Sequence, residues 1–427
     1  MFYFNNLVRD VKNAFSDFLL NNICKNNPRV VTKFIFDMTW GIMTFGSSKI
    51  SNISRALYEA NIRITENRLT KKLKEMDLSC VEKNFNQYAF KHLIRLNPII
   101  IVGESDVIKP HGNAFEGLNY IHDGSKQGRP KEKGWPLTSI LSLTDDNYVI
   151  PLITNAYSTL SDGYKSINDE LQKHLNVILP NINQNHKGVV VLDRGYDGSL
   201  YVDYIESKSQ FYVIRAKENR KYISSKGKMN IDELARKYKG RYSFNFTDKD
   251  GVKKYAKASA VKVAHKSFKN NIWLIFESVH SEKDTRVYLS NIDCSTKDGV
   301  KRVLKSYRLR WRIEEYFRFV KQEYQLEKFM IRSLQGINNL FLCINIVTSF
   351  ITSIIQSNCK LYEKIEAVYR PLSDTTKEEY IKQKYGSHGL NLYRGKIGLQ
   401  IILGHTSGRP RIPGRDRKKK CEQMLLF

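Results

Sequence analysis

A chain of 427 residues, 41% hydrophobic and 26% charged, is long enough to bury a sizeable core and too apolar for wholesale disorder. Lys and Arg number 70 against 43 Asp and Glu, and the net charge of +27 sets up a field that draws polyanions. No basic amphipathic anchor or lipidation motif stands out, so nucleic acid is the expected partner and a membrane is not.

Residues 1–95 read as helical. The first twenty carry Arg9, Asp10, Lys12 and Asp17 and do not read as a signal peptide. One apolar pattern (Phe34, Ile35, Met38, Trp40) runs up to Gly41, and a second passes through Ile53, Ala56 and Leu57. A third spaces Leu69, Leu73 and Met76 helically, with Thr65 placed to cap its start. That helix also bears Arg68, Lys71, Lys72 and Lys74; a DNA-binding module and a plain packing bundle fit it equally well.

After Pro98, the run Ile99-Ile100-Ile101-Val102 predicts a buried strand. A loop rich in Gly, Lys and Arg follows (Gly124, Lys126, Gly128, Arg129, Lys131, Lys133), then a strand region over 137–153 and a helix over 164–178. Gly188-Val189-Val190-Val191-Leu192 is the clearest strand and ends on Asp193. Aliphatic runs alternating with helices imply an α/β core with some parallel pairing. Alternating stretches at 242–246, 255–263, 272–279 and 286–292 make 217–292 a β-rich insertion. Helices resume near 297 and run to about 370, and a basic, Pro/Gly-broken tail starts at Arg409. The uncharged run from Ser333 to Cys359 is interrupted by Asn338, Asn339, Asn345 and Gln356, as suits a buried core helix better than a membrane span. Six scattered cysteines without a C-x2-C pair argue for a reducing compartment and against a structural zinc site.

Two segments carry chemistry. Asp193 closes a buried strand, the position where α/β sheets place ligand sites, and Gly195 permits a sharp exit turn. Further on, Tyr307, Arg310, Glu314, Phe317 and Lys321 follow at helical steps, so one face carries a carboxylate flanked by cations. Trp311, Ile313, Phe317 and Phe319 make the segment too apolar for a free surface helix.

The spacing Y-x2-R-x3-E-x6-K filled by Tyr307, Arg310, Glu314 and Lys321 resembles the C-terminal element of insertion-sequence transposases of the Asp-Asp-Glu (DDE) superfamily, in the branch named for the fourth insertion sequence. Leu192-Asp193-Arg194-Gly195-Tyr196 resembles the same family's second-aspartate block, and Phe211–Arg215 with Arg220 its basic strand. The resemblance covers roughly residues 30–360. It implies an α/β fold with a ribonuclease H-like core, a β-rich insertion looping outside that core before the last catalytic helix, and an N-terminal helical domain. The corresponding divisions are 1–95, 96–216, 217–292, 293–372 and a C-terminal extension, 373–427. Asp193 and Glu314 are then expected to hold Mg2+ or Mn2+, since two divalent ions about 3.5–4 Å apart activate the nucleophile and stabilise the leaving oxygen. Tyr307, Arg310, Lys321, Arg215, Arg220, Lys109 and Arg194 are expected to meet DNA.

The first acid departs from the pattern. Asp-x-Ser/Thr followed by Lys is expected, and Gly103-Glu104-Ser105-Asp106-Val107-Ile108-Lys109 stands there instead. Glu104 and Asp106 are the candidate replacements, yet strand alternation puts both on the face opposite position 103 unless a bulge re-aims one. The expected function is that of a transposase: binding terminal inverted repeats, then cutting and joining DNA by two-metal phosphoryl transfer, with Gly103 impairing it. A homodimer on DNA and a cytoplasmic, nucleoid-associated prokaryotic setting go with it. The rivals are a nuclease with the same core and a non-catalytic, transposase-derived DNA-binding protein.

Overall fold

The computed structural model describes residues 2–404 apart from 113, 123–127, 129, 219, 239 and 249–250. Gly124, Lys126, Arg129 and the basic tail from Arg409 therefore lie outside the described residues.

The chain opens with helices α1 (Phe2–Asp17), α2 (Arg29–Phe45), α3 (Ile50–Arg55), α4 (Ile62–Glu75) and α5 (Ser79–His92). Gly41 does not end α2. The helix runs on to Phe45 and stops at Gly46, whose φ of 56° is the left-handed cap that glycine adopts without strain. What Gly41 provides is closeness: a Cβ there would lie 2.5 Å from Ile53 Cγ2 and 2.8 Å from Ile53 Cα, so α3 lies directly against the α2 backbone. Gly41→Ala should therefore cost about 1–3 kcal/mol despite its better helix propensity. Urea unfolding checks this, and an unchanged midpoint would mean the two helices have room to part. The cap of α4 is Asn61, which accepts from the Ile64 N–H, while Thr65 is buried and bonds Glu59 and the Asn61 carbonyl. Arg68 is also committed: it pairs at 2.8 Å with the fully buried Asp37 and at 2.9 Å with Glu59.

Strands β1 (Ile99–Ile108), β2 (Asn119–His122), β3 (Lys131–Leu143) and β4 (Val149–Ala156) follow. The strand region expected over 137–153 is thus a hairpin. Next come α6 (Ile167–Ile178), β5 (Val189–Leu192), α7 (Ser199–Ser207), β6 (Phe211–Arg215), the β7 (Lys221–Ser224) and β8 (Gly227–Asn230) pair, and α8 (Ile231–Lys237). Strands β9 (Tyr242–Thr247), β10 (Lys253–Val263), β11 (Ile272–Val279) and β12 (Arg286–Ser290) precede α9 (Lys297–Arg308), α10 (Arg312–Glu323), α11 (Leu334–Ser357), α12 (Cys359–Tyr369) and α13 (Thr375–Gly404, interrupted at Gly386).

Among the described residues one sheet runs β2-β3-β1-β5-β6-β12-β11-β10-β9, with β4 also on β3. Only β1–β5 and β5–β6 are parallel. This corrects the expectation for the β-rich segment. Tyr288, Leu289 and Ser290 pair with Arg215, Ile214 and Val213, so β9–β12 prolong the main sheet and do not loop outside it. The cause is β6, whose far edge has free backbone groups that must be paired.

Alternation divides the sheet into two faces. Ile99, Ile101, Val189, Val191 and Val213 lie on the side covered by α9, α10 and α11, while Ile100, Val102, Val190, Leu192 and Ile214 pack over α5, α6 and α7. The first core extends without a break into α1, α2 and α4 and takes in Tyr385, Leu399, Ile402 and Leu403 of α13. The segment before the tail, expected as part of an extension, thus helps to close that core. Helix α11 is long and apolar enough to cross a membrane, but its apolar side chains are spent inside the fold: Ile337, Leu340, Phe341, Ile344, Val347 and Phe350 are all buried.

Candidate active site

The parallel register pairs Ile101 with Val191, so two residues on, Gly103 and Asp193 leave neighbouring strands at the same level. Alternation also puts them on the same face, the one covered by α10. The first residues of α10 lie over this spot. A Cβ on Gly103 would come within 2.7 Å of Ile313 Cδ1, and Glu314 follows directly.

The cationic motif is not one continuous helix. Tyr307 ends α9, Arg310 sits in a 3-10 turn over Leu309–Trp311, and Glu314 and Lys321 belong to α10. Tyr307 and Arg310 stand beside Asp193, and Glu314 joins the group through Arg310. The Tyr307 hydroxyl donates to Asp193 Oδ1 at 3.3 Å, and Arg310 Nη1 donates to Glu314 Oε1 at 3.1 Å. Burial opposes the Arg310 charge, but Tyr307, Asp193 and Glu314 outweigh it and raise its pKa. Burial likewise pushes the Tyr307 phenol up to about 12, with Arg310 and Arg215 among its charged neighbours. Asp193 is exposed and the Glu314 side chain is 41% exposed, so this pair opens to solvent.

The other candidates lie elsewhere. Pairing of β1 with β3 is regular from Ile101 to Ile108, so no bulge at Gly103 re-aims an acid. Glu104 points to the opposite face, where Thr138 Oγ1 lies 2.9 and 3.0 Å from its two oxygens and the Tyr196 hydroxyl donates at 2.7 Å. Burial pushes its carboxyl up to about 7, against the pull of the hydroxyls of Tyr196, Thr138 and Tyr157. Asp106 is held at 2.6 Å by Lys321, two turns and about 10 Å along α10 from Glu314. Lys109 is buried and donates to the carbonyls of Glu327 and Phe329 above the Phe329 ring; burial draws its pKa down to about 8. Carbonyl partners thus replace the open phosphate contact that the resemblance implies for it. Arg220 pairs at 3.0 Å with the buried Asp197, and Arg194 pairs at 2.9 Å with Glu218 on the surface.

Among the described residues, no three His, Cys, Asp or Glu side chains converge so as to hold a metal ion. Asp193 and Glu314 offer two carboxylates with Arg310 beside them, which does not fit a two-ion clamp. The sequence reading missed Ile313 as the residue filling the space above Gly103, and Tyr196 and Asp197 as ties for the Asp193 turn. The block Asp193-Arg194-Gly195-Tyr196-Asp197 was the available signal for the ties, since its fifth residue is a second acid in a turn.

The model of the transposase DDE domain matches residues 105–350, more than half of the chain. The chain belongs to the DDE transposase family. Among solved structures, this transposase chain is similar to the piggyBac transposase synaptic complex with hairpin DNA, seen by cryo-electron microscopy. Identity is 11% over 77% of this chain and 56% of that one, with a TM-score of 0.34, so the chain spans little more than half of that protein's length. No curated protein matches this transposase chain. The family match begins two residues after Gly103, so it includes Asp193 and Glu314 and leaves position 103 outside.

Proposed function

We propose that this chain binds the terminal inverted repeats of an insertion sequence as a transposase of the Tyr-Arg-Glu-Lys branch, and that Gly103 impairs its cleavage and strand transfer. One observation carries the reading: Asp193 leaves its strand level with Gly103, Glu314 directly follows the residue that covers Gly103, and the space for a third carboxylate is filled by that residue, Ile313. An antiparallel trio, β4-β3-β1, continuing into parallel β5 and β6 supports the ribonuclease H-like description of the core.

In this reading Tyr307 orients Asp193, while Arg310 and Arg215 offer charge to a phosphate approaching the open side of the pair. Magnesium or manganese is the ion the family resemblance implies. Synapsis of two element ends calls for a homodimer, and the setting is the prokaryotic nucleoid.

The test is fluorescence anisotropy with duplexes carrying the inverted repeats that flank the reading frame. Binding at least tenfold tighter than to a scrambled duplex is expected, and equal affinities would reject terminal-repeat recognition. A manganese titration by calorimetry separates binding from chemistry. Gly103→Asp should tighten manganese binding, and Glu314→Gln in that background should remove the gain; an unchanged affinity would take Glu314 out of the site. Of the rivals, the non-catalytic DNA-binding protein is favoured by the same missing acid. It predicts that no substitution at position 103 yields cleavage.

A further inference from the structure

Glu104 lies on the β1 face away from α10, closed in by side chains, and its partners among the described residues are hydroxyls. A carboxylate in such a place is retained only if donors hold it, and hydrogen bonds to a charged acceptor are the stronger kind. The donors come from three places: Thr138 on β3, Tyr157 just beyond β4, and Tyr196 three residues after Asp193.

Tyr196 is part of the Asp193 turn itself. Its N–H donates to the Asp193 carbonyl at 3.0 Å, and the Asp197 N–H donates to the Arg194 carbonyl at 3.2 Å. Tyr196 and Asp197 are buried, with the Tyr196 ring edge-on to Tyr201 at 5.1 Å between centroids, while the glycines on either side are open: a Cβ on Gly195 or on Gly198 would meet nothing within 4 Å. The turn is tied at two points. Tyr196 is bound to Glu104, and Asp197 accepts from the Lys217 N–H at 2.7 Å and pairs with Arg220.

We infer that Glu104 is a positioning residue: through Tyr196 it straps the turn carrying Asp193 onto β1, from the face opposite Glu314. The inference rests on the proposed reading of Asp193 as a site acid, and it gives Glu104 a role other than replacing the missing first acid. Substrate never touches it.

Hydrogen–deuterium exchange on the full chain tests the strap without requiring activity. Tyr196→Phe and Glu104→Ala should each speed exchange at the amides of Tyr196 and Asp197 by on the order of tenfold, since each removes one of the two ties. Glu104→Gln, which keeps an acceptor oxygen, should leave them slow. Thr138→Val, which removes a donor on β3 only, should leave them slow as well. Equal exchange in wild type, Tyr196→Phe and Glu104→Ala would overturn the strap, and so would equal loosening by Thr138→Val. If Gly103→Asp yields a cutting enzyme, Tyr196→Phe in that background should lower kcat and leave KM for the duplex unchanged. Loss of cutting through Glu104→Gln with the turn still slow would make Glu104 a substrate-facing acid and end the inference. A protein that never cuts leaves the exchange result standing, so failure of the strap and failure of the catalytic reading are told apart.

Discussion

Gly103→Asp is expected to raise nicking of a labelled repeat-end duplex in magnesium buffer on the order of 10²–10³-fold, the range lost when one preorganised group that stabilises transition-state charge is removed. The strand register places the new carboxylate level with Asp193, beneath the first turn of α10 that bears Glu314. Its Cβ, however, meets Ile313 at 2.7 Å from Cδ1 and 3.0 Å from Cγ2. Side-chain atoms near the tip are cheap to move, but overpacking of this kind still costs about 1–3 kcal/mol. The double variant Gly103→Asp with Ile313→Val should therefore be more stable than Gly103→Asp alone and cut at least as fast. Glu104→Gln and Asp106→Asn serve as controls. Because Asp106 is paired with Lys321 about 10 Å along α10 from Glu314, Asp106→Asn in the Gly103→Asp protein should leave most of the nicking in place. Fast cutting by wild type that Asp106→Asn abolishes would identify Asp106 as the first acid and reject the register argument. If neither Gly103→Asp nor the double variant cuts, the non-catalytic rival is correct.

Affinity for duplex DNA should fall on the order of 10³-fold between 50 and 200 mM salt, if about six phosphates are neutralised. The charge of +27 makes the term large, and the exposed lysines of α9 are where the proposed DNA contact is tested. Helix α9 buries Val300, Val303 and Leu304 while Lys297, Lys301 and Lys305 stand exposed four residues apart, about 6 Å per step, as an open cationic row. Lys301→Gln and Lys305→Gln should each reduce the slope of log affinity against log salt by about one. Lys109→Met should leave that slope alone and lower thermal stability instead, because its ammonium is spent on the Glu327 and Phe329 carbonyls. A flat salt response in anisotropy titrations would remove nucleic acid as the partner. A slope change from Lys109→Met would put that lysine on the DNA after all.

Local pattern was enough for several features, and each has a short-range cause. Val189–Leu192 is aliphatic at every position because both of its faces are covered, which marks a buried parallel strand and places Asp193 at its end. The alternation in 242–246, 255–263 and 272–279 reflects a period of two that any sheet position imposes. Tyr307, Arg310, Glu314 and Lys321 were legible as one motif because their spacing is a property of the chain alone. What those residues touch was not. The partners of Lys109 lie 218 and 220 residues away, Tyr196 lies 92 from Glu104, and Lys321 lies 215 from Asp106; no window of sequence contains such pairs. The sheet order was equally hidden, since β12 reaches β6 only once the groups on the β6 edge need partners. So was the cover over Gly103: a missing side chain can be read from the sequence, but Ile313 fills its space only because α10 is docked on that face of the sheet.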